Sequence, residues 1–355
     1  MLFFAGHRQL RVGIIGTGAI AWKHAQAYKN IGYDVTVCTN ASEPKGRQLA
    51  QATGAEFVKS YQDVCRHSCV DYVDVCTFPD FRLSPLKICA DTKKHIQVQK
   101  PIATDLETAG RMIEIARRAG IQLGVVSQHR FDDATRFLKR AIADGRMGKI
   151  IQADAYVKWH RPAEYYSRPG KGTWATEGGG SLINQAIHQV DLLLFLAGTV
   201  RDVCGYWQLG AVHAIESEDV VNGLLRYSSG ATGVIQAATA LWPGYPERLE
   251  IHGTKASTVV TGDKLTAWDA EDDHGDPAPI AHQGAFSGAS DPMAISLAPF
   301  ERQFLDFGEA CRTGRPPLVS GADGYRALQV VLAIYQSCRE GRNVSIPVEP
   351  EPRSS

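Results

Sequence analysis

The chain has no net charge: 38 Lys and Arg balance 38 Asp and Glu over 355 residues. Without a surplus of either sign there is no long-range field to favour nucleic acid or an anionic membrane, so the expected partners are small molecules. A run of about twenty apolar residues, the length a membrane-spanning helix needs, is also missing. The opening Met1-Leu2-Phe3-Phe4-Ala5-Gly6-His7-Arg8 is too short and too polar for a secretory signal and reads as a frayed extension. No internal repeat or coiled-coil heptad is visible. The eight cysteines, at positions 38, 65, 69, 76, 89, 204, 311 and 338, include no pair of C-x-x-C motifs. Only Cys65 and Cys69 lie close together, and a zinc site would need two further ligands beside them, so no metal is expected. Thiols scattered through apolar runs fit reduced cysteines in a cytoplasmic protein.

What is present is enough chain for two cores. Arg11-Val12-Gly13-Ile14-Ile15-Gly16 reads as a short apolar strand, and Gly16-Thr17-Gly18-Ala19-Ile20-Ala21 opens a helical pattern directly after it. A G-x-G-x-x-A run between strand and helix is a dinucleotide-binding fingerprint, in which a pyrophosphate approaches backbone at a helix N-terminus. Gly16, Gly18, Ala19 and Ile20 are therefore cofactor candidates. A second strand, 34–38, ends near Asn40, where an acidic residue would normally take the ribose hydroxyls of NAD. An amide does not repel a 2′-phosphate, and Ser42, Lys45 and Arg47 follow, which tilts the choice between NAD and NADP towards NADP. Lys45 and Arg47 read equally well as a solvated helix face.

Strands at 70–77 and 95–99, with a helix through Ala90 between them, continue an alternating pattern that predicts a parallel, doubly wound sheet. Ligands of such sheets bind beyond the carboxyl ends of the strands. Thr77, Pro79, Gln99 and Lys100 all sit at such ends, and the Lys100 ammonium is placed to hydrogen-bond a substrate oxygen. A helix over 105–119 stopped by Gly120 leads to a strand at 121–126 and to Gln128-His129-Arg130-Phe131, where Arg130 reads as a structural ion pair tying two domains.

The second candidate stretch runs from Trp174 to Asp191. Gly178, Gly179 and Gly180 allow close backbone approach, Ser181 is a candidate helix cap, and Asn184, His188 and Asp191 recur at the i, i+4, i+7 spacing of one helical face. The loop ahead of it carries Arg161, Tyr165, Tyr166, Lys171 and Trp174. Aromatic faces stack on pyranose rings while Arg, Lys and Tyr bind hydroxyls, so the loop reads as a polyol pocket. Strands at 150–159, 203–212, 219–226, 232–239, 248–252 and 257–261 suit a large antiparallel sheet. The tract 268–299 reads as an irregular surface excursion, and 299–312 and 321–339 as amphipathic helices that return towards the first domain.

Together these motifs resemble the glucose-fructose oxidoreductase / inositol dehydrogenase / MocA family over residues 10–347. The carriers are Gly16-Thr17-Gly18-Ala19-Ile20-Ala21 with His24, Thr77-Phe78-Pro79-Asp80, Gln99-Lys100-Pro101, Gln128-His129-Arg130-Phe131, and Gly178-Gly179-Gly180 followed by Asn184, His188 and Asp191. The resemblance implies an α/β fold: a Rossmann dinucleotide-binding domain over 10–130, then a domain over 131–347 with a large open, mostly antiparallel sheet for substrate binding and for homodimer or homotetramer contacts. It implies Lys100 as catalytic lysine and His188 as acid/base histidine, with Asn184 orienting substrate or His188. The substrate candidates are Lys100, Gln128, Arg161, Tyr165, Trp174, Asn184 and His188. The family usually has Glu where this chain has Gln99, and Asp where it has Asn184. Both changes remove negative charge near Lys100 and His188 and make each easier to deprotonate. The activity implied is hydride transfer between NAD or NADP and a secondary alcohol or ketone of a sugar, glycoside or cyclitol. An NAD-dependent glycosidase or lyase that oxidises its sugar transiently, and a non-catalytic NAD(P)-binding sensor, are the alternatives.

Overall fold

A computed structural model describes residues 9–272, 274–281 and 296–347. The chain forms two compact units, one containing residues up to Gln128 with Ser296–Gly324, the other containing His129 onward with the segment from Tyr325.

The first unit is built on six short strands: β1 (Arg11–Ile15), β2 (Asp34–Thr39), β3 (Glu56–Phe57), β4 (Tyr72–Val75), β5 (His95–Val98) and β6 (Leu123–Val125). They pair in the order β3-β2-β1-β4-β5-β6, all parallel. Val12, Ile14, Tyr72, Val73, Val75, Ile96 and Val98 are fully buried, as expected where helices cover both faces of a sheet. The covering helices are α1 (Ala19–Asn30), α2 (Glu43–Thr53), α3 (Tyr61–Arg66), α4 (Leu83–Asp91) and α5 (Leu106–Ala119). Local chemistry fixes their ends. Asp105 accepts the Thr108 N–H at 2.7 Å to start α5, and Gly120 at φ 67° stops it. Strand order reverses between β1 and β4, and the carboxyl ends of those two strands flank the glycine turn.

The second unit holds β7 (Ile150–Lys158), β8 (Val200–Leu209), β9 (Glu218–Tyr227), β10 (Thr232–Ala238), β11 (Arg248–Gly253), β12 (Ala256–Thr261), β13 (Lys264–Ala270) and β14 (Val344–Ser345). They form one sheet in the order β13-β12-β11-β7-β10-β9-β8-β14, antiparallel except for β7 with β10. Its helices are α6 (Asp133–Ala143), the single turn α7 (Trp174–Glu177) and α8 (Ile187–Ala197). Two long helices follow: α9 (Ala298–Thr313), which lies in the first unit, and α10 (Gly321–Glu340).

Four expectations are corrected. The second-domain range 131–347 takes in residues 296–324, which pack in the first unit, in the direction expected of the helix at 299–312. There Phe300, Phe304 and Phe307 are buried, with Phe304 stacked on Tyr28 at 4.4 Å and Phe307 edge-on to Tyr72 at 5.2 Å. The tract thought to become irregular at Trp268 begins inside strand β13, where Trp268 packs on Phe137; its residues 282–295 lie outside the described ones, as does the N-terminal extension 1–8. Ser181 is no cap: its φ and ψ of −60° and −40° are already helical, and its hydroxyl donates to Glu218 and the Ala237 carbonyl. Finally, Arg130 pairs bidentately with Asp191 at 2.5 and 2.8 Å, both within the second unit, so this pair ties the turn at Gln128–Phe131 to α8 rather than one domain to another.

The Arg130–Asp191 pair is buried and hydrogen-bonded on both oxygens. Removing one partner leaves the other charge without compensation in the interior. The Asp191→Ala variant is expected to lose about 3–5 kcal/mol of stability, read by denaturant unfolding. A loss below about 1 kcal/mol would contradict that placement.

Candidate active site

In the first unit the candidate residues gather at the carboxyl edge of the sheet. Gly16 adopts φ 90°, and a Cβ there would meet the Cys76 carbonyl at 3.0 Å, so the turn after β1 requires glycine. Gly18 stands at the N-terminus of α1, and a Cβ added to it would touch nothing within 4 Å. Open space beside the amino end of a twelve-residue helix with no acidic residue in its first turn suits a pyrophosphate. Asn40 sits past the end of β2 with its amide donating to the Ser42 carbonyl at 3.1 Å. Lys45 is exposed, whereas Arg47 is held by Glu43 at 2.8 Å and lies over the Phe57 ring. Arg47 is thus a helix-face residue with its own partner.

Thr77 and Lys100 are half-buried at the ends of β4 and β5, with Pro79 buried behind them. What joins these two turns is Arg82, a residue that sequence reasoning passed over. Its guanidinium, 2% exposed, donates to the carbonyls of Gln99 and Pro101, to Thr77 at 2.7 Å and to Lys100 at 3.4 Å. Burial lowers its pKa from 12.5 to about 9. The planar fork of donors fits four fixed carbonyls that a point-charge ammonium could not reach together. Gln99, expected to face the cofactor, instead turns its side chain inward to His24 at 2.8 Å.

In the second unit the segment after the glycines is not a regular α-helix. Leu182–Ala186 forms a π-turn that passes into α8, so the expected α spacing of Asn184, His188 and Asp191 does not hold. Within residues 181–190 only Asn184, Gln185 and His188 are half-exposed. The Asn184 amide donates to the Gly179 carbonyl at 3.1 Å. His188 meets the ring of His129 edge-on at 5.2 Å, and His129 is bonded to Asp132 at 2.7 Å. Burial pushes the His129 pKa down, but the Asp132 carboxylate outweighs it and leaves the value raised.

The glycines serve protein packing instead of ligand approach. A Cβ on Gly179 would sit 2.5 Å from the Tyr335 hydroxyl, and one on Gly180 would fall on the Glu218 carbonyl. The Glu218 carboxylate, fully buried, accepts the N–H groups of Gly180 at 2.7 Å and Leu182 at 2.8 Å and the Tyr335 hydroxyl at 2.8 Å.

Beside this segment the Tyr165 hydroxyl accepts from Gln185 at 2.8 Å and from Lys171 at 3.0 Å, and Lys171 is paired with Glu177 at 2.6 Å. Two donors from the second unit therefore converge on this hydroxyl. The other expected substrate residues are more buried or differently partnered. Arg161 is 1% exposed and packs over Trp159 and Tyr165, Gln128 is 2% exposed, and Trp174 belongs to a group with Trp207, Tyr335 and Arg339.

Residues 10–127 match the family model described as "Oxidoreductase family, NAD-binding Rossmann fold", and residues 135–259 match "GFO/IDH/MocA C-terminal domain". The chain belongs to the Gfo/Idh/MocA oxidoreductase family. It is 27% identical over 354 residues to a myo-inositol 2-dehydrogenase of Thermotoga maritima, covering 95% of this chain and 98% of that one. It is also 27% identical to a D-apiose dehydrogenase of Paraburkholderia graminis, covering 96% and 90%. Among solved structures it is similar to the WlbA dehydrogenase from Bordetella pertussis in complex with NADH and UDP-GlcNAcA. The TM-score is 0.84 and the identity 27%, over 96% of this chain and 100% of that one.

Two predictions concern how this Gfo/Idh/MocA protein holds its site residues. Burial raises Glu218 from 4.5 to about 7 despite the donors around it. A raised carboxyl pKa contributes stability that is present below pH 4.5 and is lost as pH rises towards 7. Wild type should therefore lose up to about 3 kcal/mol relative to Glu218→Gln over that range in paired unfolding curves. A pH-independent difference would contradict this. For Arg82→Met, turnover should fall about a hundredfold with the fold retained, because two turns lose their shared anchor. Turnover within about twofold of wild type would show that the turns hold themselves.

Proposed function

We propose that the protein is a cytoplasmic NAD-dependent dehydrogenase or reductase acting on a secondary alcohol or ketone of a sugar, glycoside or cyclitol. The observation that carries this reading is Lys100 at the carboxyl end of β5, on the same sheet edge as the Gly16–Gly18 turn. The relatives are named for myo-inositol and D-apiose, polyols with secondary hydroxyls, which supports the substrate class.

Gly16, Gly18, Ala19 and Ile20 would hold the pyrophosphate, Asn40 the ribose, and Thr77 the neighbourhood of the nicotinamide. Bound nicotinamide accepts or supplies the hydride. In the first unit Lys100 would handle the hydroxyl proton, and in the second unit His188 is the acid/base candidate, with Asn184 and Tyr165 as the substrate-side candidates. Our reading takes NAD as the cofactor, supported by the Arg47–Glu43 pair, which competes with a 2′-phosphate; Ser42 and Lys45 are the remaining candidates for NADP. Eight unpaired thiols support the cytoplasmic assignment. Ile151, Tyr206 and Leu224 are 53%, 75% and 59% exposed on strands β7, β8 and β9, which supports a homo-oligomer formed through that sheet.

The test is a panel of cyclitols, aldoses and alkyl glucosides assayed with NAD and with NADP, followed by Lys100→Met. The expected result is reduction of NAD by one class. In the variant, turnover should fall about a thousandfold while NADH still binds. Unchanged turnover in Lys100→Met would overturn the catalytic assignment, and tighter binding of NADPH than NADH would overturn the cofactor.

A further inference from the structure

Gln99 directly precedes Lys100, and its side chain enters a buried network that the hydride-transfer reading leaves unused. The amide Nε2 lies 2.8 Å from His24 Nε2, and His24 Nδ1 lies 2.7 Å from Asp74 Oδ2. The same carboxylate oxygen accepts the Tyr28 hydroxyl at 2.8 Å. His24 and Asp74 are wholly buried and Gln99 is 7% exposed. Separations of 2.7 and 2.8 Å are those of hydrogen bonds, and Gln99 already engages the ring's second nitrogen.

Chemistry selects the direction of each bond. A carboxylate offers only lone pairs, so the proton shared with His24 belongs to Nδ1. An amide NH₂ approaches Nε2 only as donor, so Nε2 carries a lone pair. Both conditions describe one species, a neutral imidazole with its hydrogen on Nδ1. The remaining neighbours agree with it. The Cys76 sulfur lies 3.5 Å from Nδ1, and burial keeps that thiol protonated, with Arg82 and Asp74 as the charges beside it. From α9 only the apolar rings of Phe300 and Phe304 face His24, at 5.4 and 4.9 Å.

Residue 99 is thereby held three ways. Its N–H donates to the Val75 carbonyl at 3.1 Å, its carbonyl accepts from Arg82, and its side chain is anchored on His24. We propose that His24 is a positioning residue for Lys100: a neutral, Nδ1-protonated imidazole that accepts the Gln99 amide and so fixes the peptide carrying the lysine. The inference rests on the reading of Lys100 as the catalytic lysine. It also explains why an amide suits position 99: a carboxylate there would need a second proton on the His24 ring.

The test uses the full chain labelled with ¹⁵N-histidine, with His24 assigned by the loss of its signals in His24→Gln. The expected spectrum shows a protonated Nδ1 and an unprotonated Nε2. An imidazolium, or a ring protonated on Nε2 alone, would overturn the proposal. In kinetics Gln99→Leu should lower kcat about 10- to 100-fold with the KM for NAD unchanged. Gln99→Glu should recover activity only towards low pH, where the added proton is available. Wild-type kcat in Gln99→Leu would overturn the positioning role. The spectrum reads no activity, so failure of the oxidoreductase reading, seen as Lys100→Met without effect, is separable from failure of this one.

Discussion

The first unit depends on one guanidinium. Two strands of a parallel sheet end side by side, and each leaves carbonyls past its last ladder bond that must find donors inside the protein. Arg82 supplies them from a single rigid fork, reaching Thr77 on one turn and Gln99, Lys100 and Pro101 on the other. A charge so buried is unfavourable by itself, as its lowered pKa shows. The dipoles of four carbonyls offset that, and the geometry they impose is what aims Lys100. The side-chain anchor of Gln99 on His24 acts on the same peptide from the opposite direction.

The second unit meets the same problem with the opposite charge. The backbone at Gly180 and Leu182 presents N–H groups to the interior, and the Glu218 carboxylate gathers them together with the Tyr335 hydroxyl. The glycines follow from that closeness, since any side chain would strike Glu218 or Tyr335. The π-turn that results exposes Asn184, Gln185 and His188 together, and Gln185 in turn holds Tyr165. In both units a buried ion anchors backbone, and the candidate catalytic side chains stand on what is anchored.

Much of this was legible in the chain. The glycine turn and the stop at Gly120 are local signals, and most strands of both sheets follow from apolar runs bounded by turn residues; β3, β13 and β14 do not, being too short or running into polar chain. Arg82 left no trace because its partners are carbonyls, which every residue carries. The π-turn was hidden because one extra residue in a turn barely disturbs an apolar pattern as dense as 182–196. The helical spacing of Asp191 gave no sign that it is the buried partner of Arg130. The placement of 296–324 depends on packing against Tyr28 and Tyr72, hundreds of positions away in sequence, and no local pattern encodes that.

Under the proposed function a secondary carbinol carbon exchanges a hydride with the nicotinamide. A cyclitol or glycoside deuterated at the carbinol carbon, turned over with NAD and followed by proton NMR of the cofactor, reads that transfer. Deuterium on C4 of the reduced nicotinamide is the expected result, and release of the label to water with the cofactor unlabelled would overturn the proposed function.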